Sequence, residues 1–163
     1  MNRINKVYIS GLGAIGGVYS SRIFDADPGC IKIIAGGERA ARYEKQGINI
    51  NGKLYPFKYS APENGGEKAD LILIAVKHHQ LEQSVSDIEK YVGDDTIILS
   101  LLNGIVSEEI VGRKYGMDKL LHSFVVGTDA VREGTDIKFS NMGKIVFGAK
   151  SPDGAEKVRV VKE

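Results

Sequence analysis

The stretch from Lys6 to Gly17, "KVYISGLGAIGG", carries glycines at 11, 13 and 16 in the spacing G-x-G-x-x-G. That spacing alone occurs in many glycine turns, so its surroundings decide its meaning. Before it stands "KVYIS", a short β-rich run from Lys6 to Ser10. After it, "AIGGVYSSRIFDAD" sets Ile15, Val18, Tyr19 and Ile23 at helical spacing. A strand that feeds a glycine turn and then a helix is the setting in which the motif cradles a diphosphate. Gly11 permits the tight turn, Gly13 removes a Cβ from the path of the ligand, and Gly16 lets helix and strand approach. The free amides that open the helix, around Leu12, Ala14 and Ile15, then face the phosphates.

Outward from that turn the chain alternates. "IKIIA" (31–35) reads as a second strand, and "ERAARYEKQG" as a helix ended by Gly47. "INI-NGK-LYPFKY" reads as a hairpin turning at Asn51-Gly52. "DLILIAV" (70–76) and "TIILSLL" are continuous apolar runs, as in strands covered on both faces. "HQLEQSVSDIEKYVG" is predicted as one amphipathic helix ending at Gly93, and "SEEIVGRKYG" as another with acids in its first turn. "KLLHSFVVG", "TDIKFS" and "KIVFGAK" read as β, with turns at "REG" and "NMG". The order predicts an α/β fold: a doubly wound, mostly parallel sheet with helices on both faces. Residues 151–163 are polar and read as a linker or the first turns of a helix.

Bulk properties narrow the field. The 163 residues are 42% hydrophobic and 26% charged, with a net charge of +1. No global field favours nucleic acid or an anionic membrane. Cys30 is the single cysteine, which suits a reducing compartment. No apolar run approaches about 18 residues, and the N-terminus lacks the apolar core of a secretory signal. A cytoplasmic protein without nucleic-acid or membrane partners is expected.

Cofactor choice is read about 20 residues beyond the glycines, at the end of the second strand. An acid there bonds a ribose 2′-hydroxyl. Here "AGGERAAR" offers Ala35 and Gly36, which cannot, followed by Arg39 and Arg42. A guanidinium beside the adenosine ribose suits a 2′-phosphate, so NADP is expected over NAD. The other reading leaves both arginines on a solvated helix face.

Two further segments stand just past strands: "AVKHHQ" (75–80) and "LLNGI" (101–105). With "GLGAIGG" and "VVGTDAVREG" they resemble the N-terminal, Rossmann-type domain of the ketopantoate reductase (2-dehydropantoate 2-reductase) family, over nearly the whole chain. The resemblance implies an NADP-binding domain over residues 1–150 and a linker at 151–163 leading to a helical domain absent from this chain. It implies that Gly11 to Gly16 hold the diphosphate and that Lys77 sits beside the cofactor ribose and phosphates. Asn103 would face the nicotinamide and the substrate, and Ala130 would touch the cofactor through its backbone. The implied reaction is hydride transfer to a small 2-oxo acid; in the family this makes pantoate for coenzyme A. A homodimer is one implied assembly. Gly36 stands where the family often has arginine, and Val106 where it often has glycine. The first departure shifts the reading of a 2′-phosphate to Arg39 or leaves cofactor choice open; the second suits a divergent subfamily.

No catalytic residue is identified within these residues. The family's proton donor belongs to the helical half, so the chain is expected to be a fragment or a truncated product that binds cofactor weakly and catalyses little. His78 and His79 open a helix, and His122 reads as a packed strand residue. The three histidines form no metal-ligand cluster. Cys30 reads as structural, while Ser100 and Thr128 could line the crevice without a partner set for nucleophilic catalysis. The alternatives are a relative acting on another small 2-oxo acid, or a nucleotide-sensing module without chemistry.

Overall fold

The computed structural model describes residues 3–103 and 106–163. The first strand, β1 (Val7–Ser10), leads through the glycine turn into α1 (Ala14–Ala26). Then follow β2 (Ile31–Ile34), α2 (Gly37–Gln46), β3 (Ile48–Ile50), β4 (Lys53–Tyr55), β5 (Tyr59–Ser60) and β6 (Leu71–Ile74). The rest runs α3 (Leu81–Asp87), β7 (Ile97–Ser100), α4 (Val106–Tyr115), β8 (Leu120–Thr128), β9 (Val131–Glu133), β10 (Asp136–Lys138), β11 (Met142–Gly148) and α5 (Ala155–Lys162).

The main sheet has seven strands in the order β11-β8-β7-β6-β1-β2-β5. All neighbours are parallel except β8 and β11. β1, β6 and β7 are buried at every residue, because helices cover both faces. Side chains alternate across the sheet. Ile9, Ile33, Leu73 and Leu99 join one core with Tyr19 of α1; Tyr8, Ile72, Ile74 and Ile98 join the other with Val85 of α3 and Val111 of α4.

The chain leaves β1 toward β2 on one side and later returns to β6 on the other. A crevice therefore opens at the carboxyl ends of β1 and β6, where doubly wound sheets bind ligands.

Three expectations need correction. The helix read from "HQLEQSVSDIEKYVG" divides into a 3-10 turn (His78–Gln80), α3 and a second 3-10 turn (Glu89–Tyr91). That last tightening brings Tyr91 edge-on to Tyr8, with ring centroids 5.3 Å apart. "VRE" is a strand, β9, and the turn that follows is at Gly134, where φ is +60°. Finally, the two hairpins combine in a second, four-stranded sheet in the order β4-β3-β10-β9. Its Ile137 presses on α1 at Gly17, where a Cβ would lie 2.2 Å from the isoleucine Cδ1. Residues 155–162 form α5, with Val160 buried.

Candidate functional site

The crevice encloses about 830 Å³ and is lined by Gly11 to Ile15, Ala75 to Lys77, Arg39, Arg42, Tyr43, Gln80 and residues 130–132, among others. It brings together most of the residues singled out from sequence: Gly11, Leu12, Gly13, Ala14, Ile15, Arg39, Lys77 and Ala130.

The glycines divide their duties. Gly11 has φ +105° and its Cβ would lie 2.7 Å from the Ala75 carbonyl oxygen. A Cβ on Gly16 would lie 1.9 Å from the Gly11 carbonyl oxygen, and Gly16 itself is buried behind the crevice. Both are needed by the fold. Gly13 differs: its φ is −72° and the nearest atom to a Cβ would be the Ala75 oxygen, 3.7 Å away. Packing within the protein tolerates a side chain there, so the bareness of Gly13 suits a ligand lying against the backbone. α1 has no acid in its first turn, and its N-terminal amides lack intrahelical partners. This end of the helix favours an anion.

The charge agrees. Arg39, Arg42, Lys77 and Arg132 line the crevice, and among the described residues no aspartate or glutamate does. Lys77 is projected by a pinned turn: its N–H donates to Gln80 Oε1 at 3.3 Å, and the Gln80 N–H to the Lys77 carbonyl at 2.9 Å. A smaller cavity of about 160 Å³ shares Arg39, Val76, His79 and Gln80 with the crevice. Its floor holds the Ser10–Ser84 hydroxyl pair, 2.6 Å apart.

Sequence reasoning missed Arg132 and Tyr43. Arg132, on β9, reaches across the glycine turn to donate to the Leu12 carbonyl oxygen. Its guanidinium lies 5.5 Å from the centroid of the buried Tyr43 ring, and Nε donates to the Gly134 carbonyl at 2.7 Å. The "REG" segment was the available signal, but a contact spanning 120 residues leaves no local trace. Beside Tyr43, burial pushes the Tyr59 phenol up to about 12.

Other residues lie apart. Asn103 is exposed beyond β7 and does not line the crevice; Gly104 and Ile105 of the same motif fall outside the described residues. Ser100 does not line it either: its hydroxyl is buried and donates to Ser107 Oγ at 2.8 Å. Thr128 Oγ1 accepts from the Ala130 N–H at 3.4 Å. His79 lines the crevice. His122 is half-buried, with Nδ1 2.7 Å from Glu108 Oε2. Burial pushes the Cys30 thiol up, the reverse of an activated thiolate.

Residues 7–152 match the family described as ketopantoate reductase PanE/ApbA. The chain belongs to the ketopantoate reductase family. That family is one of oxidoreductases. A 2-dehydropantoate 2-reductase of Streptococcus pyogenes is 24% identical over 153 residues, 92% of this chain and 50% of the relative. The chain thus spans about half the length of the curated relatives it matches. Among solved structures, a protein of Enterococcus faecalis provisionally assigned as a 2-dehydropantoate 2-reductase superposes with a TM-score of 0.81 at 22% identity, covering 96% of this chain and 53% of the other. A D-mandelate dehydrogenase solved with NADH and anilino(oxo)acetate gives 0.78 at 23% identity, over 94% and 52%. These likenesses establish the Rossmann-type fold of the ketopantoate reductase domain.

Proposed function

We propose that this ketopantoate reductase domain is the dinucleotide-binding half of an enzyme that reduces small 2-oxo acids, 2-dehydropantoate foremost. The observation that carries the reading is Gly13: a bare backbone position at a helix N-terminus, ringed by cations, whose missing side chain the protein's own packing does not demand. Gly11 and Gly16 shape the turn, and Leu12, Ala14 and Ile15 bring its amides to the diphosphate. Lys77 and Arg132 supply charge on either side of it. Ala130 borders the cofactor through its backbone. When bound, a reduced nicotinamide dinucleotide supplies the hydride that turns the ketone into a 2-hydroxy acid. Asn103, past the end of β7, is assigned to orient the nicotinamide and the substrate.

Arg39 and Arg42 support a 2′-phosphorylated cofactor; Glu63, with a carboxylate oxygen 3.2 Å from where a Cβ on Gly36 would stand, weighs against one. Alkoxide formation needs a proton donor within hydrogen-bond reach, which we assign to the half of the family's length that this chain does not span. A relative acting on an aryl 2-oxo acid is the second reading, favoured by the likeness to the D-mandelate dehydrogenase structure.

The test is Gly13→Val. Branched carbons should fill the diphosphate path while the fold persists, since the nearest protein atom stands 3.7 Å from the Cβ. Titration with NADH and NADPH, followed by nicotinamide fluorescence, should show at least a tenfold loss of affinity for both, with a native circular dichroism spectrum. Unchanged affinity would sink the dinucleotide reading.

A further inference from the structure

The end of β2 is where a doubly wound domain reads the adenosine ribose, with an acid for a 2′-hydroxyl or an arginine for a 2′-phosphate. In this chain the position is Gly36, the N-cap of α2, and it offers no side chain. The surroundings show what stands there instead. A Cβ on Gly36 would lie 2.9 Å from Pro62 Cδ, and 3.2 and 3.6 Å from the two carboxylate oxygens of Glu63. An aspartate at 36 would carry its own carboxylate one carbon beyond that Cβ. Glu63, from the segment after β5, therefore brings an acid to about the place where an aspartate at 36 would put one. Pro62 meanwhile blocks a longer side chain from leaving Gly36 in that direction.

The segment is held in place. The Ala35 N–H donates to the Ser60 carbonyl at 3.1 Å, tying it to the end of β2. The Tyr91 hydroxyl donates to the Ala61 carbonyl at 2.5 Å, and Lys90 Nζ donates to the Glu63 carbonyl. The Asn64 N–H closes the turn on the Ala61 carbonyl at 3.2 Å. These bonds fix the backbone on which Glu63 stands, and its carboxylate faces a 2′-phosphate with like charge. Arg39 competes from the first turn of α2; it and Glu63 are both exposed, so water screens both charges, and what sets Glu63 apart is its place beside Gly36.

We propose that Glu63 is the cofactor-specificity residue of this chain. It accepts the hydrogen bond of the adenosine ribose 2′-hydroxyl and repels a 2′-phosphate, so that the chain favours NADH over NADPH. This assignment rests on the crevice being a nicotinamide dinucleotide site whose adenosine end extends past the acid-free lining to Gly36 and Glu63 at the end of β2.

Dissociation constants for NADH and NADPH, measured on the 163-residue chain by calorimetry, test it through their ratio. The native chain should hold NADH more tightly. Glu63→Gln should move the ratio toward NADPH by about tenfold or more, the span of one charged hydrogen bond and one repulsion. Glu63→Asp, which keeps the charge but shortens the reach, should weaken NADH while still excluding NADPH. If both dinucleotides bind the native chain and the ratio is the same in Glu63→Gln, Glu63 is not the reader and the crevice assignment survives. If neither binds the native chain, the crevice assignment falls and the role of Glu63 falls with it.

Discussion

Glu108 illustrates how a single residue ties distant parts of the fold together. It sits on α4 with only 5% of its side chain exposed. One oxygen accepts from the backbone N–H of Ser123 at 2.9 Å, and the other lies 2.7 Å from His122 Nδ1. Ser123 in turn donates from its hydroxyl to the Ser100 carbonyl at 2.7 Å, so the carboxylate helps hold β8 beside β7. Removing it leaves a buried backbone donor without its acceptor, which costs about 2 kcal/mol. Glu108→Ala is therefore expected to lower the melting temperature by ~5 °C, seen by calorimetry. Glu108→Gln, which can still accept from the Ser123 N–H, should recover a large part of that loss. Equal melting of native and alanine proteins would show that the pair is ornamental.

At the scale of elements, the second sheet is joined to its surroundings by polar ties. Asn51 adopts φ +50° ahead of Gly52 at +84° in the β3–β4 turn. Its side chain also donates to the Phe139 carbonyl at 3.0 Å and accepts from the Phe139 N–H at 2.9 Å. Asp25, near the end of α1, receives Lys53 Nζ at 2.5 Å and the Tyr55 hydroxyl at 2.9 Å from β4. Those two hydrogen bonds hold its carboxyl below the usual carboxylate range. A carboxyl lowered by folding contributes stability above its ordinary value near ~3.9 and loses it as the pH falls through the lower folded value. The melting temperature should accordingly fall between neutral pH and about pH 3, and fall less in Asp25→Asn. Identical pH profiles for the two proteins would remove Asp25 from the account.

At the scale of the whole molecule, β8 leaves large apolar side chains exposed. Phe124 and Val126 on β8 are 49% and 36% exposed. Phe124 borders a groove of about 620 Å³ that continues over Val146 and Phe147 to Glu108 and His122. Apolar patches of this kind attract partners. We expect the 163-residue chain to self-associate, with a mass above that of the monomer in light scattering, and to show no measurable reduction of 2-dehydropantoate. Phe124→Ser should lower the associated fraction. Joining the chain to the other half of a family-length protein should restore both dispersity and turnover. Turnover by the chain alone near ~10 s⁻¹ would place the proton donor within these residues, with His79 and Lys77 the first to test.

Much of this architecture was legible from local pattern. Strand runs such as "LILI" and "IILS" are apolar without alternation because both of their faces are covered, and that leaves a mark on every residue. The glycine turn is legible for a similar reason: backbone clearance at Gly11 and Gly16 is demanded within one short segment or by the adjacent strand. The pairing of two separate hairpins into one sheet left no such mark, nor did Ile137 against Gly17, since each half is consistent with many partners. The same holds around the crevice. Lys77 and Arg39 could be found from their distance to a motif, but Arg132 and Glu63 arrive from elements remote in sequence. Their charges acquire meaning only when folding sets one beside Leu12 and the other beside Gly36. Side-chain period is a local property of the chain; the electrostatic field at a ligand site is a sum over whatever the fold brings near.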